Sequence, residues 1–107
     1  MVTKTLGSAV YGVNASLISI EVNIVKGTHL FIVGLPDSAV KESQHRIESV
    51  FKHIGCEMPR QRVIVNLAPA DIRKEGASYD LPIALCILQA SQQYQLDHLE
   101  DYVVLGE

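Results

Sequence analysis

Strict alternation is the clearest signal in the chain. In "LISIEVNIV", residues 17–25, Ile18, Ile20, Val22 and Ile24 fall on one side and Leu17, Ser19, Glu21, Asn23 and Val25 on the other. That pattern predicts a sheet strand with one strongly apolar face. "KTLGSAVYG" at 4–12 mixes small and apolar residues and ends in glycine, which predicts a first strand turning near Gly12 and Asn14. "KGTH" at 26–29 reads as a hairpin-like connection into "LFIV" at 30–33, so residues 1–33 predict an antiparallel meander.

The period then changes. After "GLPD", the positions Val40, Ile47, Val50, Phe51 and Ile54 recur at helical spacing, with Asp37 or Ser38 placed to cap the helix and Gly55 to stop it. Lys41, Glu42, Gln44, His45, Arg46, Glu48 and Lys52 form its solvated face, Glu48 and Lys52 being four apart in the favourable order. Arg62 to Leu67 predicts another strand, and a second helix begins at Asp80 or Leu81. Pro82 is tolerated in its first turn, where the amide that proline lacks would have no partner. Leu81, Ala84, Leu85, Leu88 and Gln92 trace the inner side of this helix, and Ile83, Cys86 and Ile87 widen the apolar belt almost all round. Such a helix must be covered by more than one neighbour. A polar return leads to a short strand start at 103–106, "VVLG". The order strand, strand, strand, helix, strand, helix, strand predicts an α/β (α+β) fold, a mixed sheet with two helices packed on one face.

Composition narrows the class without changing the picture. At 107 residues the chain is one domain's worth, and 48% hydrophobic against 20% charged residues describes a folded unit. A net charge of -3 removes any bulk cationic field for nucleic acid or an anionic membrane, while leaving room for a local basic face. The chain contains neither a signal-peptide pattern nor an apolar run of membrane-spanning length, so the expected compartment is the cytoplasm and no membrane partner is expected. Cys56 and Cys86 belong to no CxxC pair and read as free thiols. His29, His45, His53 and His98 are scattered and read as lying beside no cysteine or carboxylate at ligand spacing, so no metal site is expected.

The candidate chemistry sits in "PADIRKEGASYDLPIAL", residues 69–85. Ser78 follows a strand and precedes a helix whose amides could support an oxyanion, and Lys74, Glu75 and Asp80 are the bases nearest in sequence. The serine is not in a GxSxG elbow, and a lone serine before a helix is more often a cap, a role for which Asp80 competes. Asp71 is placed to serve its own turn. Arg73 with Lys74, and Lys52 with Arg60 and Arg62, are candidates for a basic rim touching phosphates, with Tyr79 as the sole nearby aromatic platform. "VGLPDS" at 33–38 has neither the GxxxxGK(S/T) run nor GxGxxG, so no ATP site is expected within these residues.

"FIVGLPDSAVKES" at 31–43 and "VNLAPADIRKEGASYDLPIAL" at 65–85 closely resemble the N-terminal domain of the bacterial ComM/YifB family, the Mg-chelatase-like AAA+ ATPases, and the likeness runs from Thr3 to the closing "VVLGE". The resemblance implies a fold like ribosomal protein S5 domain 2, shared with the proteolytic domain of Lon. Residues 1–107 would then be a single Lon-protease-like, ChlI-type N-terminal domain ahead of an AAA+ motor. In Lon the nucleophile lies in a Lys-Asp-Gly-Pro-Ser-Ala-Gly run. The similar stretch here, Lys74 to Asp80, puts Ser78 at that position but places bulky Tyr79 and acidic Asp80 where Lon has small residues. Lon's partner lysine would fall past Glu107, so Ser78 is expected to be inactive and the scaffold reused.

The resemblance further implies ATP and Mg2+ in the full-length parent and none in this fragment. It implies a homo-hexamer built on the parent's own AAA+ domain, and single-stranded or branched DNA as partner in branch migration during natural transformation. Two other readings stand beside this one: a truncated Lon-like serine peptidase domain, and a protein-interaction or ring-assembly domain that does not touch DNA.

Overall fold

The alternating first half is realised as one long hairpin. β1 (Val2–Tyr11) and β2 (Asn14–Val25) pair antiparallel, with Thr3 opposite Val22, Thr5 opposite Ile20 and Gly7 opposite Ile18. The computed structural model describes residues 2–11, 13–74 and 76–107, so Gly12 of the expected turn lies outside the described residues.

β3 (Leu30–Val33) does not continue the meander. The strand order is β1-β2-β4-β3, and β4 (Arg62–Ala68) sits between β2 and β3, antiparallel to the first and parallel to the second. The crossover explains the correction. α1 (Asp37–Ile54) carries the chain back along the sheet, so β4 enters in the direction of β3 and hydrogen-bonds on both edges. A strand as apolar as "VIV" at 63–65 is better buried there than at an edge. The "KGTH" connection, with Gly27 at φ 139° and His29 at φ 75°, therefore steps across one strand position.

Register places Thr3, Thr5, Gly7 and Ala9, Ile18, Ile20 and Val22, Val63, Val65 and Leu67, and Leu30 and Ile32 on a single face, all buried. α1 covers this face with Ile47 and Phe51, and α2 (Asp80–Ala90) with Ile83, Cys86 and Ile87. The result is a mixed α/β fold with a four-stranded sheet and two helices on one face, the arrangement of ribosomal protein S5 domain 2. Two expected core positions of α1, Val50 and Ile54, are instead 52% and 58% exposed, because the helix meets the sheet through the narrower Ile47–Phe51 stripe. In α2 the buried line runs through Pro82, Ile83, Cys86 and Ile87, while Leu81 is exposed, so the inner side is rotated from the expected one. With so many apolar positions, the sequence alone could not single out the buried stripe.

Neither helix is capped by a side chain. The N-cap positions are Pro36 and Tyr79, so Ser38 lies inside α1, Asp80 inside α2, and Ser78 one residue before the cap; the Asp37 side chain lies outside the described residues. The entry to α1 is set by backbone shape instead. A Cβ on Gly34, at φ 106°, would lie 2.3 Å from the Leu67 carbonyl oxygen, so only glycine brings this turn against β4. Gly55, left-handed, ends α1 as expected. Gln44 donates to Glu48 at 3.1 Å, and no Glu48–Lys52 ion pair forms among the described residues.

The expected strand start at 103–106 is a single parallel bridge, Val103 to Leu6, on the outer edge of β1. It is held by Leu99, buried in a short 3-10 turn (Leu99–Asp101), whose carbonyl accepts from Thr5 Oγ1 at 2.9 Å. Among the described residues no helix is long and apolar enough to cross a membrane.

Candidate functional site

The loop after β4 leads through a 3-10 turn, Gly76–Tyr79, into α2, and consecutive residues of that turn face different surroundings. Ser78 is exposed and makes no hydrogen bond among the described residues. Tyr79 is 1% exposed. Its ring packs over Gly7, where an added Cβ would come within 3.2 Å of the ring, and its hydroxyl donates to the Ser8 carbonyl at 3.3 Å. Tyr79 is thus a core side chain pinning α2 to β1, and its face is unavailable for stacking on a base.

Asp80, next in line, is buried and bound on all sides. Ser43 Oγ donates to Asp80 Oδ1 at 2.8 Å, Arg46 Nε donates to Oδ2, and Arg46 Nη2 reaches Oδ1 at 3.3 Å and Ser43 Oγ at 3.1 Å. The hydrogen bond that Arg46 donates to the Asp80 carboxylate raises the guanidinium's pKa above its usual range. Arg46, read from sequence as part of the solvated face, and Asp80, read as a cap, together tie α1 to the start of α2. A serine and an arginine three apart on one helix, and an acid set between "SY" and "LPIAL", are the signal that could have revealed them.

The bases near Ser78 are therefore engaged. Lys74, 7% exposed, donates from Nζ to the carbonyls of Pro69 at 2.6 Å and Ile72 at 3.0 Å, which folds the loop over its ammonium. Asp80 is held by Ser43 and Arg46, and Glu75 lies outside the described residues. Ser78 instead borders a cleft of about 400 Å³ that it shares with Ser8, Val10, Arg73, Leu105 and Glu107. A larger groove, about 770 Å³, opens between α1 and α2 beside Val50, Phe51, Leu81 and Ala84, with Arg46 and Asp80 in its wall.

The basic candidates do not converge. Lys52, Arg60 and Arg62 are exposed at the end of the sheet where β4 begins, and the Arg62 guanidinium lies 5.2 Å from the Phe31 ring centroid on the uncovered face. Arg73, also exposed, follows the other end of β4. About 20 Å of strand separates the two ends. Asp71 is exposed. His98, unlike the expectation for the histidines, does lie beside carboxylates: His98, Glu100 and Asp101, neighbours in sequence, bring their ligand atoms within 4.8 Å of one another around the 3-10 turn. All three side chains are exposed.

The family described as "Subunit ChlI of Mg-chelatase" matches residues 20–107. The chain belongs to the ChlI family. Among its relatives, the uncharacterized protein YifB of Escherichia coli (strain K12) is 47% identical over 100 residues, 92% of this chain and 20% of that protein. The competence protein ComM of Haemophilus influenzae is 45% identical over 97 residues, 90% of this chain and 19% of that protein. An uncharacterized Mycobacterium tuberculosis protein, Rv2897c, is 35% identical over 105 residues, 97% of this chain and 21% of that protein. The chain thus spans about a fifth of the length of the relatives it matches, and the ComM/YifB resemblance read from 31–43 and 65–85 is homology.

Proposed function

We propose that this chain is a non-catalytic accessory domain at the front of a Mg-chelatase-like AAA+ ATPase, with ATP and Mg2+ handled by the part of the parent outside these residues. The observation that carries the reading is ChlI-family membership over residues 20–107 in a stretch that is a fifth of its relatives. At finer grain, similarity to a competence protein supports a parent that works as a hexameric DNA helicase in branch migration during natural transformation. Lys52, Arg60 and Arg62 are then the cations placed to meet phosphate, and Lys74 and Tyr79 serve the fold. Contact through so few cations is weak and salt-sensitive.

The test compares the full-length protein with a version lacking residues 1–107, reading ATP hydrolysis, migration of a four-way DNA junction and particle mass. Retained ATP hydrolysis with impaired junction migration is the expected result. ATP turnover by the residue 1–107 stretch, or junction migration indifferent to its removal, overturns it.

The ring-assembly reading has its own support in the open groove between α1 and α2 and in exposed Leu17, Phe31 and Val33 on the uncovered sheet face. Loss of hexamers on deletion, with DNA affinity per hexamer unchanged, selects it.

A further inference from the structure

The sheet face opposite the helices carries an exposed aromatic ring, two idle carboxamides and a set of unpaired cations. Phe31, 46% exposed, stands in register with Ile64 and, one strand further, with Asn23. Asn66, exposed, lies two residues along β4 from Ile64 and therefore on the same face. The carboxamides of Asn23 and Asn66 make no hydrogen bond among the described residues. Glu21, the acid of this face, is taken by Lys4 at 3.4 Å. The Arg62 guanidinium lies 5.2 Å from the Phe31 ring centroid, in a space kept open by Gly27, where an added Cβ would come within 3.0 Å of Arg62 Nε. Cations surround this pair. Across the turn 26–29 and the stretch 52–62, Lys26, Lys52, Arg60 and Arg62 are exposed and meet a single acid, Glu57. None of the five is in an ion pair among the described residues. A local positive field thus stands on a chain of net charge -3.

We propose that this face binds single-stranded DNA, with a base stacking on the Phe31–Arg62 pair. The carboxamides of Asn23 and Asn66 then meet base edges, and Lys26, Lys52 and Arg60 hold the phosphates. Paired bases are stacked on one another and offer no face to an exposed ring, so the strand is single. An acidic peptide would satisfy the cations and leave the ring and both carboxamides without a partner, which selects nucleic acid over protein. The sheet takes the stacking role that buried Tyr79 cannot fill. The choice of DNA rests on the reading of the parent as a DNA helicase, whereas the ring, carboxamides and cations stand independently of it.

The test uses the full-length protein without nucleotide and three fluorescein-labelled strands: oligothymidylate, its abasic counterpart and oligouridylate. Binding is followed by anisotropy, and photo-cross-links from thiothymidine are mapped by mass spectrometry. Cross-links to residues 26–33 and 60–66 are expected. Phe31→Leu, which keeps an apolar side chain on β3, is expected to weaken oligothymidylate roughly tenfold and to leave the abasic strand unchanged. Arg60→Gln is expected to lower the slope of log affinity against log salt by about 0.7, whereas Lys41→Gln, in the first half of α1, leaves it unchanged. Absence of those cross-links, equal loss for the normal and abasic strands, or tighter binding of oligouridylate overturns the proposal. So does displacement by polyglutamate at equal charge, which assigns the patch to an acidic protein. Loss of hexamers in Phe31→Leu overturns it too, by assigning the ring to a neighbouring subunit. Junction migration by the same preparation separates the two readings: migration without these cross-links removes the site and keeps the parent's function, while failure to migrate a junction or bind any strand removes both.

Discussion

Ser78 and Asp80 are two residues apart, and the fold treats them in opposite ways. The serine, which the Lon resemblance led one to expect at a nucleophile's position, stands exposed beside an open cleft with no base at hand among the described residues. The aspartate, which looked like helix punctuation, is buried and holds the two helices together through Ser43 and Arg46. Tyr79 between them is the pivot: its ring anchors over Gly7, which turns one neighbour outward and the other inward. A charged loop next to a helix start can thus be committed to architecture at one residue and free for binding at the next.

Substitutions along this stretch sharpen the contrast. Tyr79→Ala empties the space over Gly7 and is expected to cost about 3–5 kcal/mol, read as a lowered urea midpoint; a cost below about 1 kcal/mol would break the pivot account. Arg46→Leu leaves the buried Asp80 carboxylate with Ser43 alone and should cost about 2–3 kcal/mol, below the range for a fully enclosed pair because Arg46 itself is half-exposed. The two thiols repeat the contrast. Burial pushes the Cys86 thiol up from 9.0 to about 12, whereas Cys56 is only half-buried, so alkylation at pH 8 should label Cys56 first. Because the folded value lies above the unfolded one, the Cys86 contribution is complete below pH 9 and declines between pH 9 and about 12, by about 1.4 kcal/mol per pH unit in a denaturation series. Cys86→Ala should remove that slope. Ser78→Ala should change stability by less than about 0.5 kcal/mol, since the hydroxyl holds nothing in the fold.

How much of this was legible follows from the range of each interaction. The alternation of 17–25 and the helical spacing of 40–54 are local patterns, and both elements form where those patterns stand. The neighbour of β3 was not legible, because "KGTH" has the same local chemistry whether the next strand lies beside β2 or one place beyond. The choice is made by β4, some thirty residues later. Lys74 and Tyr79 looked like surface chemistry because lysine and tyrosine usually show their polar ends; here two carbonyls and a glycine gap receive them. The buried stripe of α2 was hidden by abundance, since nearly every position of that helix is apolar. ChlI-family membership was readable from two motifs, while the junction of Asp80 with Arg46 depends on two helices meeting across 34 positions of sequence.

The insertion of β4 between β2 and β3 also orders events in time. As the chain leaves the ribosome, β1 and β2 can close on each other from adjacent sequence, but β3 has no partner until residues 62–68 have followed the whole of α1. The far edge waits longer still, since the Thr5 hydroxyl can donate to the Leu99 carbonyl only after 94 further positions have been made. Contacts so distant along the chain slow the search for the native state. A nascent copy therefore presents "LFIV" as an unpaired apolar strand while residues 34–68 are being made, and chaperone capture during that interval would act on β3.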